Sequence, residues 1–138
     1  MRFINGQAAA IRDILQSTKT IAVVGLSPKP SRPSNQVARY LKDAGYTIFP
    51  VNPGQETLLD LPCYPNLQAI PGPVDMVDIF RRPEHVLPVV KEAISIDAKV
   101  VWMQSGIINQ EAAELAEQAG LAVIMDRCTM VDHMDYLL

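Results

Sequence analysis

The stretch from Ile21 to Arg32, IAVVGLSPKPSR, constrains this chain more than any other. A short apolar, mostly β-branched run meets Gly25 and breaks into a turn rich in Ser, Pro, Lys and Arg, and a helical pattern starts at Ser34. Strand, glycine, turn, helix is how a nucleotide-binding βαβ unit opens, because loop N–H groups and a helix N-terminus together favour an anion. The glycine fingerprint of dinucleotide sites, G-x-G-x-x-G, is missing, and Pro28, Pro30 and Pro33 stand in the loop instead. A phosphate-binding loop of another kind is expected, built on Gly25, Leu26, Ser27, Lys29, Ser31 and Arg32. Hydroxyls and cations beside a helix start suit a diphosphate. The plainer alternative is a turn shaped by Ser and Pro whose cations face water.

Periodicity extends this unit over the chain. Apolar residues at helical spacing predict helices over residues 6–17, 34–44, 83–96, 109–119 and 128–136. Ser34 and Asn109 are the expected N-caps of two of them, and Gly45 and Gly120 the residues just past their ends. Pro83 suits a first turn, whereas Pro88 predicts a late start or a kink in the same helix. Short apolar runs predict strands over 20–24, 46–51, 74–80, 99–103 and 121–125. Residues 55–72, bordered by Pro62, Pro65, Pro71 and Pro73, hold at most one short helix near 66–70. Strands alternating with helices imply an α/β, three-layer, Rossmann-like fold: a mostly parallel sheet of about five strands with helices on both faces. No linker divides residues 1–138, so one domain is expected, and 138 residues bury enough surface for a core.

Composition removes several classes of function. A net charge of -3 argues against non-specific nucleic-acid binding, which needs a large basic excess. No apolar run approaches the roughly 20 residues that cross a bilayer, and the N-terminus has no signal-peptide pattern. Two cysteines, Cys63 and Cys128, make no disulfide framework and lack metal-ligand spacing. The expectation is a cytoplasmic protein with no metal, no membrane and no nucleic-acid partner.

In a doubly wound sheet the ligand sits at the carboxyl ends of the strands. After the second strand an NAD site would carry an acid, about 20 residues past the glycine loop, for the ribose hydroxyl. Here Phe49-Pro50-Val51-Asn52-Pro53 carries none, and the first acid, Glu56, follows the turn. Pro50, Val51, Asn52 and Pro53 can flank an adenine, or simply bracket a turn. Phe80, Arg81 and Arg82 bring an aromatic and two cations, and arginine favours phosphate through its planar fork of donors. Gln104, Ser105 and Gly106 offer polar groups to a ligand arm or form an ordinary turn.

Taken together and in this order, GLSPKPSRPS, PVNP, DIFRRPEHV, WMQSGI and MDRC resemble the small single-domain bacterial CoA-binding proteins. Those are similar to the N-terminal CoA-binding domain of the succinyl-CoA synthetase alpha subunit. The resemblance runs from about Thr20 to the C-terminus. It implies coenzyme A as ligand, with its diphosphate over residues 25–32 and its adenine near Pro50, Val51, Asn52 and Pro53. The pantetheine arm would run past Phe80 and Arg81 to Gln104 and Gly106. The synthetase's second domain, with its phosphorylated histidine, has no counterpart here, so the ligase reaction is not carried over.

Three functions follow as candidates. The first is a module that binds CoA or an acyl-CoA as carrier, sensor or regulatory partner, without catalysis of its own. The second is an NAD(P)-dependent oxidoreductase, against which the proline-filled loop and the missing acid speak. The third is a subunit supplying the CoA site to a separately encoded acyl-CoA ligase; the protein partner is unknown. No catalytic constellation is expected around His85 or His133, and His133 is expected to be solvated. Cys128, after Arg127 at a helix start, has surroundings that can make a thiol reactive. A mixed disulfide with CoA is one expectation for it, and a small helix-start packing residue the other. Asp75 and Asp78 are unusual in a strand covered on both faces; three apart, they point to opposite sides and do not suggest a metal pair. Trp102 and Met103 are expected in the core.

Overall fold

All five expected apolar runs pair into one parallel sheet in the computed structural model, which describes residues 7–138. The strands are β1 (Thr20–Val24), β2 (Thr47–Val51), β5 (Met76–Ile79), β6 (Val100–Met103) and β7 (Ala122–Ile124). Their spatial order is β2-β1-β5-β6-β7, every pair parallel. Two short strands, β3 (Thr57–Leu58) and β4 (Leu61–Pro62), form a separate antiparallel pair. The chain leaves β1 for one edge of the sheet and returns to its other side as β5. That switch point puts a crevice at the carboxyl ends of β1 and β5.

Alternation along β1 explains the layers, because successive side chains point to opposite faces. Ile21 and Val23 join Ile11 and Leu15 of α1 (Ala8–Ser17) and Val37, Ala38 and Leu41 of α2 (Pro33–Asp43). Met130 and Tyr136 of α5 (Thr129–Leu137) pack on that same cluster. Ala22 and Val24 face the other way, onto Val90 and Ala93 of α3 (Val86–Ser95) and Ala112 and Ala116 of α4 (Gln110–Gln118). The result is the expected three-layer α/β fold with helices on both faces. Trp102 and Met103 are fully buried between the layers, and the Trp102 indole N–H donates to the Arg127 carbonyl at 2.7 Å.

Several local expectations need correction. Ser34 does not cap α2: the helix begins at Pro33, with Arg32 at the N-cap position. Proline at the first helical position loses no needed N–H and arrives with a helical φ, which moves the start forward and turns Ser34 inward. Asn109 does cap α4, its side-chain oxygen accepting from the Ala112 N–H at 2.9 Å. The late start predicted by Pro88 occurs as well: a 3-10 turn over Pro83–His85 precedes α3, and Pro88 falls in its first turn. The hairpin β3–β4 was not anticipated. Its turn runs through Leu59 and Asp60, both at positive φ (54° and 61°), where sequence reasoning looks for Gly or Asn. The start of the first helix expected at residue 6 lies outside the described residues.

Candidate functional site

Gly25 ends β1 and holds three strand ends together. Its N–H donates to the Val51 carbonyl at 3.0 Å, and the next carbonyl back, that of Val24, accepts from the Phe80 N–H at 2.9 Å. Its φ is +85°, and a Cβ built there would run into the Phe80 carbonyl oxygen and lie 3.2 Å from Arg81 Cδ. Only glycine lets the loops after β1 and β5 approach this closely.

The loop that follows is pinned from α2. The Ser27 N–H donates to Ser34 Oγ at 2.9 Å, and Asn35 Nδ2 donates to the Ser27 carbonyl at 2.8 Å. Arg39 donates to Asn35 Oδ1 at 2.8 Å and to the Pro30 carbonyl at 2.9 Å. Ser27 Oγ accepts from the Lys29 N–H at 3.1 Å, and the Arg32 N–H donates to the Lys29 carbonyl at 3.0 Å. These bonds consume backbone donors that a phosphate loop would normally turn toward its anion. What the loop leaves outward is charge, on Lys29 and Arg32, both exposed.

A cleft of about 790 Å³ opens over this loop. From the first loop it takes Gly25, Ser27, Lys29 and Arg32; from the end of β5, Phe80, Arg81 and Arg82. Gln104 and Ser105, after β6, and Cys128 and Met130, at the start of α5, complete its far wall. None of Lys29, Arg32, Arg81 and Arg82 has a carboxylate at ion-pair distance among the described residues. Unpaired arginines and a lysine on one lip make that lip an anion-attracting surface on a chain of net negative charge.

A second lobe, of about 230 Å³, takes in Val51, Pro53, Asn66, Arg81 and His85. Gly25 and Arg81 line both lobes. Thus seven of the expected positions (Gly25, Ser27, Lys29, Arg32, Phe80, Arg81, Gln104) share the main cleft, and Val51 and Pro53 share the second. The rest face neither. Leu26 is fully buried, and its carbonyl accepts from Asn52 Nδ2 at 2.9 Å. The Asn52 side-chain oxygen accepts the Gly54 N–H at 2.8 Å, so that side chain shapes the turn. Pro50 is buried, with its carbonyl accepting the Tyr64 N–H at 2.9 Å. Ser31 stands in solvent, and the Gly106 N–H donates to Asp126 Oδ1 at 2.6 Å.

The two aspartates flagged in the sequence part company. Asp75 precedes β5, and its carboxylate accepts from the Lys19 and Thr20 N–H groups at 2.9 and 3.2 Å. Asp78 is completely buried behind the cleft wall. Gln104 Nε2 donates to Asp78 Oδ1 at 2.6 Å and to Thr129 Oγ1 at 2.8 Å, and Thr129 Oγ1 donates to Asp78 Oδ2 at 2.9 Å. Burial pushes the Asp78 carboxyl up to about 7, against the pull of the Gln104 and Thr129 hydrogen bonds. Thr129 drew no notice in the sequence, nor did Asn35 and Arg39. The legible signal was polar residues at inward helical positions: Asn35 lies three residues before Ala38 on the packed side of α2, and both are buried.

Cys128 occupies the N-cap position of α5, half-buried and free. The neighbouring Arg127 donates to the Asp132 carboxylate at 2.7 and 2.9 Å. Cys63 packs against the α1/α2 core, where burial raises its thiol's pKa. His133 corrects the expectation of a solvated side chain: it is 8% exposed, and its Nδ1 lies 2.7 Å from the Tyr40 hydroxyl. The last helix presents it to α2, so Asp132 and Asp135 beside it in sequence did not predict its surroundings.

Comparison with known proteins agrees with this geometry. A family model described as a CoA binding domain matches residues 19–134. Protein YneT of Bacillus subtilis, itself uncharacterised, is 44% identical over 129 residues, which cover 94% of this chain and 96% of YneT. A solved structure of a hypothetical protein from Pyrococcus horikoshii OT3 superposes with a TM-score of 0.95 at 42% identity, over 100% of this chain and 98% of that one. The ADP-forming acetate–CoA ligase II of Archaeoglobus fulgidus is 37% identical over 110 residues, 78% of this chain but 16% of the enzyme. The chain belongs to the CoA-binding domain family, as its motifs implied. No helix among the described residues is long and apolar enough to cross a membrane.

Proposed function

We propose that this member of the CoA-binding family holds coenzyme A or an acyl-CoA across the β1/β5 crevice, as a carrier, sensor or regulatory module that makes and breaks no bonds itself. One observation supports the reading above the others: Lys29 and Arg32 from one loop and Arg81 and Arg82 from another share a lip without carboxylate partners among the described residues. A diphosphate is the ligand group such a lip suits, since charge-assisted bonds from arginine are strong and bidentate. The adenine would lie over the second lobe, against Val51 and Pro53. The arm would run along Phe80 and Arg81 to Gln104. The Ser27, Lys29 and Arg32 N–H groups are committed within the loop, so side-chain cations carry the larger part of the grip.

Arg32→Ala is expected to weaken CoA binding by about 1.5–3 kcal/mol, the scale of a hydrogen bond to a charged group. Calorimetry checks it, and unchanged affinity counts against the assignment. The same titrations with NAD and NADP decide against a dinucleotide enzyme if they show no heat while CoA binds at micromolar concentration or tighter. At the place of the missing ribose acid, the Asn52 side chain is already spent on Leu26 and Gly54.

A second reading has an observation of its own. The similarity to an acetate–CoA ligase of which this chain spans 16% fits a subunit that lends its CoA site to a separate ligase polypeptide. Affinity purification tests it: a stoichiometric larger partner favours the subunit, and the chain recovered alone favours the stand-alone module.

A further inference from the structure

We propose that Asp78 and Thr129 are positioning residues: they lock the Gln104 amide with its oxygen toward the cleft, where it accepts a hydrogen bond from an amide N–H of the pantetheine arm. This rests on the CoA reading above and deepens it, by assigning a specificity element for the part of the ligand that carries no charge. The starting observation is a closed ring of three side chains from three elements, β5, the turn after β6 and the first turn of α5. Asp78 and Thr129 are both 0% exposed and Gln104 3%.

With Asp78 ionised, above its titration near 7, the ring has one arrangement: a carboxylate only accepts hydrogen bonds, so the nitrogen of the Gln104 amide, not its oxygen, faces Asp78. That nitrogen's hydrogens are both consumed, by Asp78 Oδ1 and by Thr129 Oγ1. Thr129 has one proton to give, and it goes to the second carboxylate oxygen. The amide oxygen is left on the side away from this pair. Gln104 lines the cleft, and its oxygen has no hydrogen-bond donor among the described residues. That oxygen is not among the buried side-chain atoms left without a partner, so it opens to the cleft, where a ligand donor can take the place of water. Orientation by the ring also removes rotamer freedom that the glutamine would otherwise lose on binding.

A competitor for such a site, an ordinary nucleotide, offers no amide N–H there; the pantetheine arm does. The assignment therefore predicts that the ring affects the arm and leaves the nucleotide alone. Adenosine 3′-phosphate 5′-diphosphate, which is CoA without its arm, is the probe that separates the two. With the full chain and at a pH above 7, Thr129→Val should lower CoA affinity about tenfold relative to adenosine 3′-phosphate 5′-diphosphate, and Thr129→Ser, which keeps the hydroxyl, should restore the ratio. Gln104→Met should lower the ratio by the same factor, and adding Thr129→Val to it should lower it no further, because both changes remove one interaction. Equal loss for both ligands, no rescue by serine, or additive effects in the double variant would each overturn the proposal. If the unaltered chain fails to bind CoA at all, the functional reading itself is wrong, and the ring is then a core feature.

Discussion

Alanine at Gly25 is expected to cost the fold about 3 kcal/mol or more and to remove CoA binding with it. Two costs act together. A left-handed φ of +85° strains any residue with a Cβ, at about 1–2 kcal/mol. The added carbon would also overlap the Phe80 carbonyl oxygen, which is backbone and has no rotamer to escape into. Relief requires the β1 and β5 loops to part, and those loops carry Lys29, Arg32 and Arg81. Urea denaturation measures the effect as a lowered midpoint with an unchanged slope. Gly72→Ala is the control: a Cβ there meets nothing within 4 Å, and the expected change is within about 0.5 kcal/mol. Equal midpoints for the two variants would show that the β1/β5 junction tolerates separation and that the crevice is not built as described.

Stability is expected to fall as pH rises from about 4 to about 7, through Asp78. Its carboxyl titrates near 7 in the folded chain, against 3.8 for an ordinary aspartate. The native state then holds a proton that the unfolded state has released throughout this window. By linkage the contribution is complete below 3.8 and is lost as pH passes upward through the folded value. At 1.36 kcal/mol per pKa unit the loss is on the order of 4 kcal/mol. Asp78→Asn, which cannot ionise, should flatten the profile in this window and be the more stable protein above pH 7. Midpoints of denaturation recorded across the range for both chains decide it. Parallel curves would mean that the buried carboxyl stays ionised throughout and that its ring with Gln104 and Thr129 outweighs burial.

Both effects come from residues whose importance the sequence announces unequally. Gly25 stands between an apolar run and a proline-rich turn, a pattern with few physical solutions, and its role was legible. So were the five strands, because parallel strands covered on both faces appear as short apolar runs, and so was Asn109, a cap with a helix pattern directly behind it. Asp78 was visible only as an anomaly. Nothing in one dimension tells that its partners are Gln104 and Thr129, which lie 26 and 51 residues away. Ser34 shows a different limit: both N-cap and inward donor-acceptor roles fit serine beside a proline, and the choice depends on where Ser27 lies across the loop. The hairpin at Leu58 and Leu61 is too short for alternation to register, and its turn lacks the usual residues. Leu26, Pro50 and Asn52 were expected at the ligand because they sit in the right segments. Strand-end segments also contain the residues that hold the ends together, and bond partners, not position, distinguish the two.

The central claim is that cations from two loops at the β1/β5 crevice grip the diphosphate of CoA. A crystal structure of the chain with CoA tests it directly. The diphosphate should lie between Arg32 and Arg81, with the arm passing Phe80 toward the Gln104 amide oxygen. Ligand density anywhere else on the molecule, or a cleft closed over by its own loop at saturating CoA, would contradict the account.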